Sequence, residues 1–285
     1  MIAQLRMAEP RLPLARACQL LGLARSDYYR TPVSPPDAAE LLAAIDALVL
    51  DFPGYGYRRV TAQLRRDGWE VNAKRVLRRL REGGLLCQQR RRWVRTTDSA
   101  HGLTVYPNLL AQRGWRQLTA PNQAWVADLT YIRLPGGFCY LAALLDAYSR
   151  RVVGWSLARS LDAAVALAAL EQALAHREPP PGWIHHSDRG VQYACRDYVR
   201  RLQAAGARIS MTAVGSPREN AQAESFFRTL KREEVYLADY GSFAEAEQRL
   251  GQFLNEVYNQ KRLHSALGYV PPQEFEERGA ADVLP

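Results

Sequence analysis

From residue 123 onward the chain contains three apolar runs in quick succession: QAWVADLTYIRL (123–134), GFCYLAALLDAYS (137–149) and RRVVGWSLA (150–158). Tight connections separate them, first Pro135-Gly136-Gly137 and then Ser149-Arg150-Arg151. Short runs rich in β-branched and aromatic residues, bounded by turn formers, read as strands, and two adjacent hairpins make an antiparallel meander. Few architectures continue from such a start. Next come a helix at 161–176, a Pro-rich break at 179–181, a short strand WIHHS (183–187) and a helix near 193–205. A strand ARISM (207–211), a turn at Gly215-Ser216-Pro217 and long helices at about 219–232 and 243–260 complete the pattern. A meander followed by alternating helix and strand predicts a mixed α/β domain over residues 121–285.

The preceding part of the chain is helical. Residues 12–30 predict two short helices about a turn at Gly22, with the Ser26 hydroxyl as an N-cap for the second. TPVSPP (31–36) is a breaker cluster. Over 37–50, Leu41, Ile45, Leu48 and Val49 share one helical face. After DFPGYGY (51–57), helices at 58–67 and 72–82 meet at Asp67-Gly68, with Asn72 capping the second and Gly83-Gly84 ending it. That arrangement is compatible with a helix-turn-helix. Residues 1–95 therefore read as a helical DNA-binding region and 96–120 as a connector.

Charge supports this division. The chain carries 38 Lys/Arg against 29 Asp/Glu, yet residues 1–120 hold 20 of those cations and only 10 of the acids. The whole positive surplus lies there, as in a nucleic-acid-binding arm joined to a neutral body. Lys74, Arg75, Arg78, Arg79 and Arg81 are followed by Arg90, Arg91, Arg92 and Arg95, with Glu82 the one acid among them. Cations at i, i+3 and i+4 form a stripe able to lie along phosphates. Lys74, Arg75, Arg78, Arg79, Arg90, Arg91 and Arg92 are the candidate DNA contacts. A hydrophobic share of 47% with 24% charged residues excludes a disordered or collagenous chain. Four cysteines without a C-x-x-C pair read as free thiols in a reducing compartment. No run of eighteen apolar residues and no secretory pattern is present, so the expected location is the cytoplasm, at the nucleoid.

Three acids stand where metal ligands would be expected. Asp128 interrupts the apolar strand AWVADLTYI, sharing a face with Val126 and Thr130, and a carboxylate there is costly unless paired or metal-bound. Asp188 follows WIHHS at a strand's carboxyl end, where sites of α/β sheets gather. Glu224 opens an amphipathic helix with Arg228 and Lys231 on the same face. Each acid also has a bland reading as an ion pair, and Asp146 and Glu219 compete with them on composition. Carboxylates converging from a strand, a strand end and a helix suit hard divalent cations. His185 and His186 invite zinc, but neighbours on a strand point to opposite faces and a zinc ion needs three or four ligands. No phosphate-binding G-x-x-x-x-G-K and no G-x-S-x-G is present.

WVADLTYI (125–132), HSDRGVQY (186–193) and ENAQAESFFRTLK (219–231) together resemble the catalytic core of bacterial insertion-sequence transposases, second-frame product, of the retroviral-integrase superfamily. The 35 residues between Asp188 and Glu224, the basic Lys231 seven positions after Glu224 and the tail YNQKRLHSALGYVPP (258–272) match that family. YGYRRVTAQL (55–64) resembles its helix-turn-helix region. The position before Asn220, often Asp in the family, is Glu219 here. The resemblance covers about residues 37–276. It implies a ribonuclease H-like catalytic domain in which Asp128, Asp188 and Glu224 hold two Mg²⁺ or Mn²⁺ ions, with no nucleophilic side chain. It also implies cutting of a DNA strand followed by attack of the freed 3′-hydroxyl on a second phosphodiester. Lys231, with Arg228 beside it, would contact DNA near the reacting end. Implied partners are element-end and target DNA, a second protomer on DNA and an upstream-frame protein. A non-catalytic DNA-binding modulator and a metal-dependent nuclease are the alternative readings.

Overall fold

The computed structural model describes residues 12–23, 38–87, 104–213 and 216–279. The Ser26 cap, the 31–36 linker and Arg90, Arg91, Arg92 and Arg95 lie outside them. The chain forms two compact units, Met1–Asp46 and Ala47–Pro285. In the first, α1 (Leu14–Leu20) buries Ala17 and Cys18 beside Leu12, Leu14 and Leu21. Helix α2 (Ala38–Asp51) buries Leu41 and Ile45 from the face read in its sequence.

In the second unit, α3 (Tyr57–Arg66) and α4 (Ala73–Glu82) pack together through Val60, Leu64, Val76 and Leu80. Gly68 turns the chain at φ 89°, a conformation only glycine adopts without strain. Asn72 Oδ1 accepts from the Arg75 N–H at 2.8 Å, the cap its position implies. The pair is anchored to the C-terminal part of the chain. The Leu263 N–H donates to the Tyr55 hydroxyl at 2.7 Å, and Arg66 meets Glu274 at 2.7 Å.

The sheet has five strands in the order β3-β2-β1-β4-β5. β1 (Ala124–Leu134), β2 (Gly137–Asp146) and β3 (Val152–Ala158) form the expected antiparallel meander. β4 (Ile184–Ser187) adds parallel to β1, and β5 (Arg208–Met211) adds parallel to β4. Helices cover both faces, which explains why the strands read as nearly continuous apolar runs. After a short helix α5 (Leu109–Arg113) ahead of the sheet, Trp125, Ala127 and Leu144 pack under α6 (Ala163–His176) and α8 (Arg196–Ala204). Val126, Ala143 and Leu145 pack under α9 (Ala221–Leu230) and α10 (Phe243–Gln252). This is the ribonuclease H-like layout. Among the described residues no helix is long and apolar enough to cross a membrane.

Four elements depart from the sequence reading. β2 ends at Asp146 rather than Ser149, because the Asp146 carboxylate takes the Tyr148 and Ser149 N–H groups, each at 2.9 Å, and Arg150 turns the chain at φ 66°. The helix expected over 193–205 breaks at Cys195, whose extended backbone separates α7 (Val191–Ala194) from α8. The two long C-terminal helices widen into π-helical segments, Lys231–Val235 after α9 and Phe253–Lys261 after α10. The second segment carries Asn259, whose amide accepts from Val152 N at 2.9 Å and donates to Val152 O at 3.0 Å, closing the end of β3. A last helix, α11 (Pro272–Arg278), places Glu276 against Ser149, Arg151 and Arg177.

Candidate functional site

Parallel pairing of β1 and β4 sets Val126 beside His186, so the two strands carry Asp128 and Asp188 toward the same end of the sheet. Asp128 Oδ1 accepts from the Leu129 N–H at 2.8 Å, and Asp188 Oδ1 accepts from the Gly190 N–H at 2.9 Å. Alternation along β1 turns Asp128 to the face that α9 covers. Its carboxyl is pushed up to about 8, first by burial and then by the charge of Asp188, with Glu224 adding to both. The Leu129 N–H and the Lys231 ammonium partly offset this. Structure thus brings Asp128 and Asp188 together, with Glu224 and Lys231 inside the same electrostatic neighbourhood.

Glu224 lies in the first turn of α9 and is exposed. Burial raises its carboxyl above the usual range, and Arg228 one turn on pulls it back. Among the described residues no three acidic, imidazole or thiol groups already surround one ion position. The Lys231 ammonium sits 4.7 Å from the centre of the Tyr131 ring on β1, and burial lowers its pKa against the opposing pull of Asp128. Tyr131, half-buried between Thr130 and Ile132, escaped the sequence reading, because its offset of three from Asp128 puts it on the other face of an ideal strand. Arg228 is exposed, with Nη2 3.4 Å from Ser225 Oγ.

The competing acids have other work. Asp146 is fully buried and accepts from the backbone N–H groups of Asn122, Tyr148 and Ser149. Glu219 Oε2 accepts from the Ala213 N–H at 2.6 Å and Asn108 Nδ2 at 2.8 Å, bonds that hold its carboxyl below the usual range. The two histidines point to opposite faces. His185 packs among Trp183, Tyr193 and Tyr198, while His186 reaches Ser210 Oγ at 2.8 Å. Burial lowers both, to about 3 and about 4.

On α4, Lys74 and Arg78 are exposed, whereas Arg75 and Arg79 are partly buried. Arg79 Nη1 bonds Glu82 Oε2 at 2.8 Å. Arg90, Arg91 and Arg92 belong to the undescribed residues.

An integrase core domain model matches residues 119–217, and a second integrase core domain model matches 205–272. An HTH-like domain model matches residues 36–93. Over 267 residues the chain is 37% identical to the insertion element IS600 uncharacterized 31 kDa protein of Shigella sonnei, covering 92% of this chain and 97% of that protein. Over 274 residues it is 36% identical to transposase InsF for insertion sequence IS3A of Escherichia coli (strain K12), covering 93% and 94% respectively. Among solved structures, the HTLV-2 integrase catalytic core domain in complex with magnesium (trimeric form) is 13% identical, covers 55% of this chain and 97% of that one, and gives a TM-score of 0.43.

Proposed function

Because the chain belongs to the insertion-sequence transposase family with an integrase core domain and an HTH-like domain, we propose that Asp128, Asp188 and Glu224 are the acids that carry its chemistry. The protein is a DDE-type polynucleotidyl transferase that binds DNA, and its reaction is strand cleavage at element ends followed by strand transfer. The assignment rests on one observation: the parallel register sets Asp128 of β1 level with Asp188 at the carboxyl end of β4, and α9, which carries Glu224 in its first turn, packs on β1.

The donor set fits a hard divalent cation. All three are carboxylates, and positive charge between them would offset the burial and the like charges that raise Asp128. Asp128 and Asp188 would hold two Mg²⁺ or Mn²⁺ ions together with Glu224. Such ions, when bound, supply Lewis-acid activation of the attacking oxygen and charge relief on the leaving oxygen. The chain's own residues fix geometry. Rigid β1 and the Gly190 N–H orient the first two carboxyls, and α9 brings the third. In the first displacement water attacks the phosphorus and the strand's 3′-oxygen leaves with the bonding pair. In the second that 3′-hydroxyl attacks a target phosphodiester and a new 3′-oxygen leaves. Neither step needs a nucleophilic side chain.

Lys231 and Arg228 lie where they would hold DNA near the reacting end, and Lys74, Arg75, Arg78, Arg79, Arg90, Arg91 and Arg92 would grip element ends. Paired ends call for two protomers, so the working form is a dimer or larger assembly on DNA at the nucleoid, with an upstream-frame protein as a further partner. The test is a gel assay of labelled element-end DNA with Mg²⁺ or Mn²⁺, comparing the wild type with Glu224→Gln. Joined products that need metal and vanish in the variant support the reading. Cleavage without joining would mark a nuclease, and unchanged activity in the variant would remove Glu224 from the site.

A further inference from the structure

Two residues ahead of α9 tie that helix to both acid-bearing strands. Asn220 is only 4% exposed, and its Nδ2 donates at 3.2 Å to the Ala127 carbonyl on β1, one residue before Asp128. The carbonyl of Glu219 lies 3.2 Å from His186 Nε2 on β4, two residues before Asp188. The Glu219 side chain is itself fixed by the Ala213 N–H and by Asn108. One step of backbone is therefore bolted to β1, to β4 and to the segment after β5. Glu224 follows Asn220 by four residues, a single helical turn, so a shift at Asn220 passes directly to Glu224.

Packing does not explain this asparagine. Its Oδ1 is buried and makes no hydrogen bond among the described residues. An orphaned buried carbonyl costs stability, and a leucine of nearly the same shape would remove it only by orphaning the Ala127 carbonyl in its place. What leucine lacks is the bond to the Ala127 carbonyl.

We propose that Asn220 is a positioning residue: its bond to β1 sets the offset of α9 against Asp128 and Asp188, while the Glu219 carbonyl ties the same step to β4 and the Glu219 side chain ties it to the segment after β5. The inference rests on the reading of Asp128, Asp188 and Glu224 as the ligand set. Asn220 acts through Glu224 and does not touch the reacting atoms.

The test uses the full chain and the metal alone. Mn²⁺ binding is followed by the electron paramagnetic resonance signal of the free ion for wild type, Asn220→Leu, Glu219→Ala, Glu219→Gln and Glu224→Gln. Thermal melting and element-end DNA affinity are measured alongside. Asn220→Leu exchanges one orphaned carbonyl for another, so it is expected to melt close to the wild-type temperature and bind DNA normally, yet bind Mn²⁺ about tenfold more weakly. Its cleavage should recover as Mn²⁺ is raised, which a purely structural role would not produce. Glu219→Gln, which keeps an acceptor for the Ala213 N–H, should stay near wild type, and Glu219→Ala should weaken Mn²⁺ binding. Wild-type Mn²⁺ affinity in Asn220→Leu overturns the proposal while Glu224→Gln still binds poorly. If Glu224→Gln itself binds Mn²⁺ normally, the ligand assignment is what fails. Should Asn220→Leu not fold, the pair Glu219→Ala and Glu219→Gln decides by the same comparison.

Discussion

Arg262 and Glu233 meet through two charge-assisted hydrogen bonds, Nε to Oε2 at 2.6 Å and Nη2 to Oε1 at 2.8 Å, with side chains only 2% and 9% exposed. Arg59 of α3 approaches the same carboxylate at 3.6 Å, and a Cβ on Gly54 would sit 2.2 Å from Glu233 Cγ. This buried cluster fixes the basic helices against the segment that follows Lys231. Removing one partner strands a buried charge, at a cost of about 3–5 kcal/mol. Arg262→Ala should lose that much in urea denaturation, and Glu233→Gln/Arg262→Met should recover part of it because the two most buried charges go together, leaving only the more exposed Arg59. A loss below about 1 kcal/mol in Arg262→Ala would show that the pair is as weak as a surface one.

Two glycines should fail in opposite ways. A Cβ on Gly190 would lie 3.0 Å from Asp188 Oδ1 and 3.1 Å from Gln192 Oε1. Those are side-chain atoms that can yield by a few tenths of an ångström, so Gly190→Ala should fold well while displacing the Asp188 carboxylate. Cleavage should fall by about ten- to a hundredfold, as when the support of a metal ligand is disturbed. On Gly154 a Cβ would lie 2.3 Å from the Ala169 carbonyl, where β3 and α6 touch backbone to backbone. Gly154→Ala should therefore cost about 1–3 kcal/mol of stability and leave the metal dependence of cleavage unchanged. Paired melting curves and cleavage rates check both, and a Gly190→Ala enzyme of wild-type rate would detach that loop from Asp188's placement.

The meander and the helices over the sheet were legible because Pro135-Gly136 and the turn after Asp146 punctuate runs of opposite-facing apolar residues. Asp128 was legible for a related reason: a charge inside such a run has to be explained. Asp146 looked equally odd in sequence, and what separates the two is invisible there. Asp146 spends its carboxylate on backbone N–H groups from Asn122 ahead of β1 and from the β2–β3 turn, whereas Asp128 spends one oxygen on its neighbour and faces other acids. The π-helical segments were also hidden. One extra residue per turn hardly disturbs an apolar stripe, and the partner that holds the second, Val152, is more than a hundred residues from Asn259. The break at Cys195 is silent too, because the polar pattern runs on through it into α8.

His264 makes stability depend on pH in a defined direction. Arg262 can only donate, so its Nη1 contact of 3.3 Å with His264 Nε2 requires that nitrogen to be unprotonated. Burial, then the charges of Arg262, Arg59 and Arg150, hold the imidazole well below its usual pKa, and the Tyr258 ring edge packs beside it. The unfolded chain takes up the proton near pH 6.5 and the folded one does not. Stability from this group is thus complete above about pH 6.5 and is lost below it, by up to about 1.4 kcal/mol per pH unit. Urea midpoints between pH 7.5 and 5 should fall in wild type and fall less steeply in His264→Gln. Equal slopes would mean that His264 titrates in the fold as it does in the unfolded chain.

The face that α4 turns to solvent should set the salt dependence of DNA binding. Lys74, Arg78 and Arg81 are exposed at i, i+4 and i+7, one continuous stripe. Arg79 is spent on Glu82, with 22% of its side chain exposed. Each phosphate contact adds about 0.9 to the slope of log affinity against log salt. Anisotropy titrations of element-end DNA at several salt concentrations should therefore show the slope of Lys74→Ala/Arg78→Ala/Arg81→Ala reduced by nearly three such contributions. Arg79→Ala removes a partner of Glu82, which keeps Arg78 at 3.9 Å, rather than a phosphate contact, so its slope should stay close to wild type. The reverse pattern, with Arg79→Ala costing more than the triple variant, would place the DNA on the other flank of α4.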